Sequence, residues 1–137
     1  MQKGQVESLF QILETLLKNE STTWDNLSAI GVGIGPGNFT GIRISVSAAR
    51  GLALSLKIPA IGISNFDIMH TVNQSYCRGN KVKIISLKGP GESAYIQVYK
   101  EQMVLYKSTQ IFLNKPNIDF LTNQNSIVIG YKAEHLS

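Results

Sequence analysis

Near the start of the chain, apolar residues recur at steps of three and four: Val6, Leu9, Phe10, Leu13, Leu16 and Leu17. Ser8, Gln11, Glu14, Thr15 and Lys18 fill the other side, so the spacing predicts an amphipathic helix over residues 4–19. NESTTWDN then interrupts with polar residues. LSAIGVGIG (27–35) and IPAIGIS (58–64) are short apolar runs bounded by turn formers. Such runs predict strands buried on both faces. Pro59 stands at the start of the second run, where a missing N–H costs least. Between the two strands a long helix runs to about Leu56, and Asn65 is placed to cap a shorter one through His70 toward Tyr76.

From residue 81 the pattern changes. VKIISLKG, ESAYIQVYKE and MVLYKSTQIFL read as three strands in series, joined by turns at KGPGE (88–92) and KEQ (100–102). Ala94, Ile96 and Val98 alternate with Tyr95, Gln97 and Tyr99, the period of a half-exposed antiparallel strand. NKPNIDFLTNQN is a polar connector with one helical turn, and SIVIG (126–130) is a last short strand. The fold class is therefore α/β, a parallel βαβ part followed by an antiparallel strand meander. Two parallel strands are a poor sheet for three helices to cover. A missing sheet partner is expected, from absent residues or from another subunit.

With 137 residues, 43% hydrophobic and 16% charged, the composition is that of an ordinary folded domain. The net charge of +4 tolerates an acidic partner or RNA, but the basic residues are scattered and form no obvious nucleic-acid patch. Cys77 is the single cysteine, which excludes an intramolecular disulfide and a cysteine zinc cluster. MQKGQVESLF has no apolar signal region, and no apolar run reaches the ~18 residues of a membrane span, so the expected location is cytoplasmic.

The densest motif is GIGPGNFTGIR (33–43). Gly31, Gly33, Gly35 and Gly37 give no register of the dinucleotide fingerprint Gly-x-Gly-x-x-Gly, and no Gly-Lys-Ser/Thr follows for a phosphate loop. A helix N-terminus still offers unpaired N–H groups to an anion. Asn38 or Thr40 can cap those groups with no ligand, a contribution of about 1 kcal/mol. Gly35, Pro36, Gly37, Asn38, Phe39, Thr40 and Gly41 are thus either an anion site or a rigid corner ahead of the helix.

That helix carries two apolar stripes: Ile42, Val46, Ala49, Ala53 and Leu56 form one, and Ile44, Ala48 and Leu52 the other. Gly41, Ser45 and Ala49 add small residues four apart. A helix apolar on two sides is expected to be buried on two sides, by the sheet and by a neighbouring helix. Arg43, Ser47 and Arg50 remain as a narrow polar strip, whose arginines are either solvated, paired with a carboxylate, or directed at a partner's acidic group or a phosphate. The interface candidates are Gly41, Ile42, Arg43, Ser45, Val46, Ala49, Arg50 and Ala53. Catalytic chemistry is thin: His70 and His135 form no ligand pair, Asp25, Asp67 and Asp119 fit caps and turns, and no serine occupies a nucleophile elbow. No catalytic residue, metal or cofactor is expected.

IGVGIGPGNFTGIRISVSAARGLALSLKIPAIGIS (30–64) resembles the signature segment of the TsaB (YeaZ) family. GQVESLFQILETLLKN resembles that family's first helix, and IISLKGPGESAYIQVYKE the start of its later strands. Asn38 stands where that family usually has Ser, and Lys88–Tyr95 replaces an acidic, arginine-bearing stretch. The resemblance implies a truncated actin-like (ASKHA, ribonuclease-H-like) domain, with a partial N-terminal lobe over 1–78 and the start of a C-terminal lobe over 79–137. It also implies a non-catalytic subunit in the making of N6-threonylcarbamoyladenosine in tRNA. Such a subunit pairs with TsaD and works with the ATPase TsaE, self-pairs through its helices, and meets tRNA through the complex, with no membrane involved. Two other classes compete: a glycoprotease-like hydrolase, and a small nucleotide-binding module using the glycine corner.

Overall fold

The computed structural model describes residues 5–76, 82–114 and 126–135, which fall into two compact units. The first comprises residues 1–34 and 38–63. Its elements are helix α1 (Gln5–Asn19), a 3-10 turn (Trp24–Asn26), strand β1 (Ile30–Gly33), helix α2 (Phe39–Leu56) and strand β2 (Ala60–Ile63). β1 and β2 pair in parallel, from Ile30 against Ala60 to Gly33 against Ile63, and α2 packs on β1. The buried residues of α2 are Ala49 and Ala53, whose small side chains suit close packing.

The expectation of strands buried on both faces is corrected here. Only Val32 of β1 is buried, and every residue of β2 is exposed, with Ile61 at 52%. The cause is the width of the sheet. Ile30 N–H donates to Pro59 O (2.9 Å) and Ile34 N–H to Ile63 O (3.0 Å). By the alternation of a parallel ladder, the backbones of Gly31 and Gly33 then face away from β2. Among the described residues no strand meets them there.

The second compact unit comprises residues 35–37 and 64–137. It holds helix α3 (Asn65–Val72), β3 (Val82–Lys88), β4 (Ser93–Lys100), β5 (Met103–Phe112) and β6 (Ser126–Gly130), with 3-10 turns at Gln74–Tyr76 and Ala133–His135. The sheet order is β5-β4-β3-β6; β3, β4 and β5 form the expected antiparallel meander, and β6 joins β3 in parallel. α3 is shorter than expected, and its cap is Ser64, whose Oγ accepts from Phe66 N–H at 3.1 Å. Asn65 is instead the first helical residue, its side chain engaged elsewhere.

Alternation along β3 and β4 separates two cores. Val82, Ile84, Ala94, Ile96, Val98 and Ile111 gather on one face, with Leu113, Val128 and Tyr131 against them. Ile85 and Tyr99 gather on the other with Phe66 of α3, backed by Met69, Leu87 and Tyr95. Tyr99, expected on a half-exposed face, is buried because α3 covers it. β5 is irregular: Lys107 and Ser108 oppose the single residue Gln97, and Leu105 has no partner on β4. These bulges bend the outer strand of the sheet. The connector expected over residues 114–125 falls almost wholly outside the described residues, as does Cys77.

Candidate functional site

Gly35–Gly37 form a corner held by one residue. Gly35 is buried with φ +86, a conformation that favours glycine, and its peptide bond to Pro36 is cis. Asn65 N–H donates to Gly35 O (2.8 Å), and Asn65 Nδ2 donates to Pro36 O (2.9 Å). Two consecutive carbonyls are thereby satisfied by a single asparagine.

The start of α2 is closed by its own cap. Asn38 Oδ1 accepts from Gly41 N–H at 2.8 Å, and Asn38 O accepts from Ile42 N–H at 2.9 Å. Asn38 thus does without a ligand what an anion would do there. Ser45 Oγ turns back onto the carbonyls of Gly41 and Ile42, both at 3.1 Å, and so offers little to a partner.

The outward face of α2 is a row at steps of four: Phe39, Arg43, Ser47, Gly51 and Ser55, all exposed. The Arg43 guanidinium sits over the Phe39 ring, 5.3 Å from its centre. Phe39 is 71% exposed and Leu54, beside the row, 82%. Arg50 is exposed too, and α2 contains no acidic residue. A Cβ built on Gly51 meets nothing among the described residues, so none of them requires glycine there. An open depression around it is lined by Arg50, Ala53, Leu54, Lys57 and Ile58.

The interface residues suggested by sequence therefore divide. Gly41, Arg43 and Arg50 are exposed; Ile42, Ser45 and Val46 are half-buried; Ala49 and Ala53 are buried within the unit. Sequence reasoning placed Ser47 with Arg43 and Arg50 on a polar strip but passed over Gly51 and Leu54 as members of the same outward face. An unexplained glycine in mid-helix was the signal available for it.

The buried polar chemistry lies in the second unit. His70 stacks on Tyr99 (centroids 4.1 Å apart, 12° between planes), and Tyr99 Oη donates to Asp67 Oδ1 at 3.3 Å. Burial first, then the Asp67 charge and hydrogen bond, push the Tyr99 phenol well above its ordinary value. Lys83, 2% exposed, donates to main-chain oxygens of His70 and Asn73. Among the described residues no group of three or more His, Cys, Asp or Glu is arranged to hold a metal, and no helix is long and apolar enough to cross a membrane.

A parallel pair with a crossover helix, followed by an antiparallel meander closed by a parallel strand, defines an α/β protein. Two solved Pseudomonas aeruginosa chains share this fold at 21% identity. One, described as an uncharacterized protein with similarity to peptidase YEAZ, superposes with a TM-score of 0.69 over 85% of this chain and 56% of its own. The other, YeaZ, gives 0.67 over 82% and 55%. The family model described as TsaD, tRNA N6-adenosine threonylcarbamoyltransferase, matches residues 1–111, and the chain belongs to that family.

Within it, the chain is 37% identical to the Buchnera aphidicola (Acyrthosiphon pisum) tRNA threonylcarbamoyladenosine biosynthesis protein TsaB, over 98% of this chain and 51% of the relative. It is 35% identical to Escherichia coli TsaB over 46% of this chain and 27% of the relative. A TsaB from Buchnera of Schizaphis graminum matches at 43% over 44% of this chain and 29% of its own. The matched stretches thus span about half of a relative's length at most.

Proposed function

We propose that this chain acts as a non-catalytic TsaB-type subunit in the making of N6-threonylcarbamoyladenosine in tRNA, pairing with a TsaD-type transferase. The observation that carries the pairing is the outward face of α2. It exposes Phe39 and Leu54, carries Arg43 and Arg50 with no acid on the same helix, and has at Gly51 a gap that no described residue fills. Aromatic and arginine side chains are the residues that most often dominate binding energy at interfaces. The two arginines call for carboxylates on the partner. The non-catalytic reading draws support from His70, Lys83 and Tyr99, the buried acid–base groups, which are engaged with one another and with main-chain oxygens. A TsaE-type ATPase and tRNA join through the transferase, in the cytoplasm.

The test is titration of the intact chain into the TsaD-type transferase of its own organism, followed by calorimetry. Micromolar or tighter binding is expected, and the Arg43→Glu, Arg50→Glu double variant should weaken it at least about tenfold, by the energetics of interface charge pairs. Absence of binding, or cleavage of glycoprotein substrates by the chain alone, would overturn the reading.

A further inference from the structure

Lys83 projects from β3 into the protein with 2% exposure, and among the described residues no carboxylate is paired with it. Its Nζ instead donates to His70 O (3.3 Å) and Asn73 O (3.0 Å) and lies 3.4 Å from His70 Nδ1. Those carbonyls belong to the last turn and cap of α3, at the negative end of the helix dipole. Lys83 is a helix cap supplied from the sheet. His70 Nε2, on the other side of the ring, lies 3.2 Å from Gln102 Oε1.

The other end of α3 is Asn65, which holds both carbonyls of the Gly35–Pro36 corner. Between the two ends α3 is held by its buried residues Phe66 and His70 and by the Asp67 bond from Tyr99, all on one side of the helix. An isolated helix of this length, about 12 Å, does not persist by itself. Its position depends on what grips it.

We infer that α3 is a strut and Lys83 a positioning residue for the glycine corner: the buried ammonium seats the last turn, and the seated helix presents Asn65 to Gly35 and Pro36. Lys83 touches none of the corner residues in its own bonds, so its influence passes through the helix. The inference concerns this chain alone and is independent of which partner α2 meets.

Lys83→Met keeps the aliphatic stem and removes the ammonium. In the full chain, hydrogen exchange at the Asn65 amide should accelerate about tenfold, the scale of a lost hydrogen bond to a charged group. The amides of Ile85 and Gln97, a facing pair in the β3–β4 ladder, should keep their protection, and the His70 ring nitrogen shifts should move as Nδ1 loses the neighbouring ammonium. Unchanged exchange at Asn65 overturns the strut. Equal acceleration at all three amides overturns it too, because it means general loss of stability. If Lys83→Met does not fold, Asn65→Ala reads the same coupling from the other end, since coupling between sites is reciprocal. The Asn73 amide, bonded to Met69 O, must then exchange faster and the His70 shifts must move; if both stay fixed, the proposal fails.

Discussion

Gly51→Ala separates what α2 needs for folding from what it presents outward. A glycine in a helix interior destabilises it by about 1 kcal/mol relative to alanine, through backbone entropy and lost side-chain cover. A Cβ at Gly51 contacts nothing, and the residue is exposed, so no steric term opposes the gain. The full ~1 kcal/mol should therefore appear in the isolated chain, equivalent to a rise of about 4–8 °C in the unfolding temperature of a unit this small. Exchange at the α2 amides should slow accordingly. Calorimetry and amide exchange of the chain without partner check this. A lower melting temperature would refute it, by showing that another part of the chain abuts Gly51. Gly51→Trp completes the test. It fills the depression lined by Arg50 and Leu54, and should leave the isolated chain folded while weakening association with the transferase at least about tenfold, or ~1.4 kcal/mol. Equal binding by wild type and Gly51→Trp would remove this face from the interface.

Tyr99 sets an alkaline limit. Its phenol is raised above the ordinary 10.0, so above that pH the unfolded chain has released a proton that the folded chain keeps, and stability falls as pH rises. Urea unfolding should show this slope from about pH 10 upward, and Tyr99→Phe should flatten it. Gly130→Ala should cost about 3 kcal/mol: φ is +113, and a Cβ would press on Ser86 O, which accepts from Tyr131 N–H. Equilibrium unfolding measures it, and a loss under ~0.5 kcal/mol would refute the clash. Lys107→Val should promote aggregation seen by light scattering, because a lysine at a bulge on an outer strand guards an edge that exposes Met103, Val104, Leu105 and Tyr106; unchanged solubility would argue against that guard.

The order of elements was legible because period and turn chemistry are local. α2, β3 and β4 lie where the spacing of apolar residues puts them, and Gly89–Gly91 turns the chain between the last two. Burial was less legible, because it depends on neighbours. Ile61 and Ile63 have the composition of a buried strand, yet β2 is exposed since β1 is its only strand partner among the described residues. Tyr99 errs in the opposite direction. Its alternation is that of an outward residue, but α3 arrives from 27 to 34 residues earlier in the chain and covers it. The cap of α3 shows competition at a single residue. Ser64 and Asn65 both suit the position, and Asn65 is engaged by the two corner carbonyls, which no local pattern reveals.

The same contrast sharpens what GIGPGN does. Its glycine content suggested an anion grip, but several polar groups around it are matched within the chain. Asn65 donates to Gly35 O and Pro36 O, and Asn38 accepts from Gly41 N–H. An anion at the start of α2 would have to displace the Asn38 cap, giving up about 1 kcal/mol before gaining anything. Gly51 has no such internal explanation. Glycine at 35 is accounted for by a positive φ, and glycine at 89 by the closeness of Ser93, whereas Gly51 has an ordinary helical backbone and open space beside it. A residue that weakens its own helix and meets none of the described residues is consistent with the proposed partner surface on α2. That places the weight of the functional reading on the outward row of α2 rather than on the glycine corner before it.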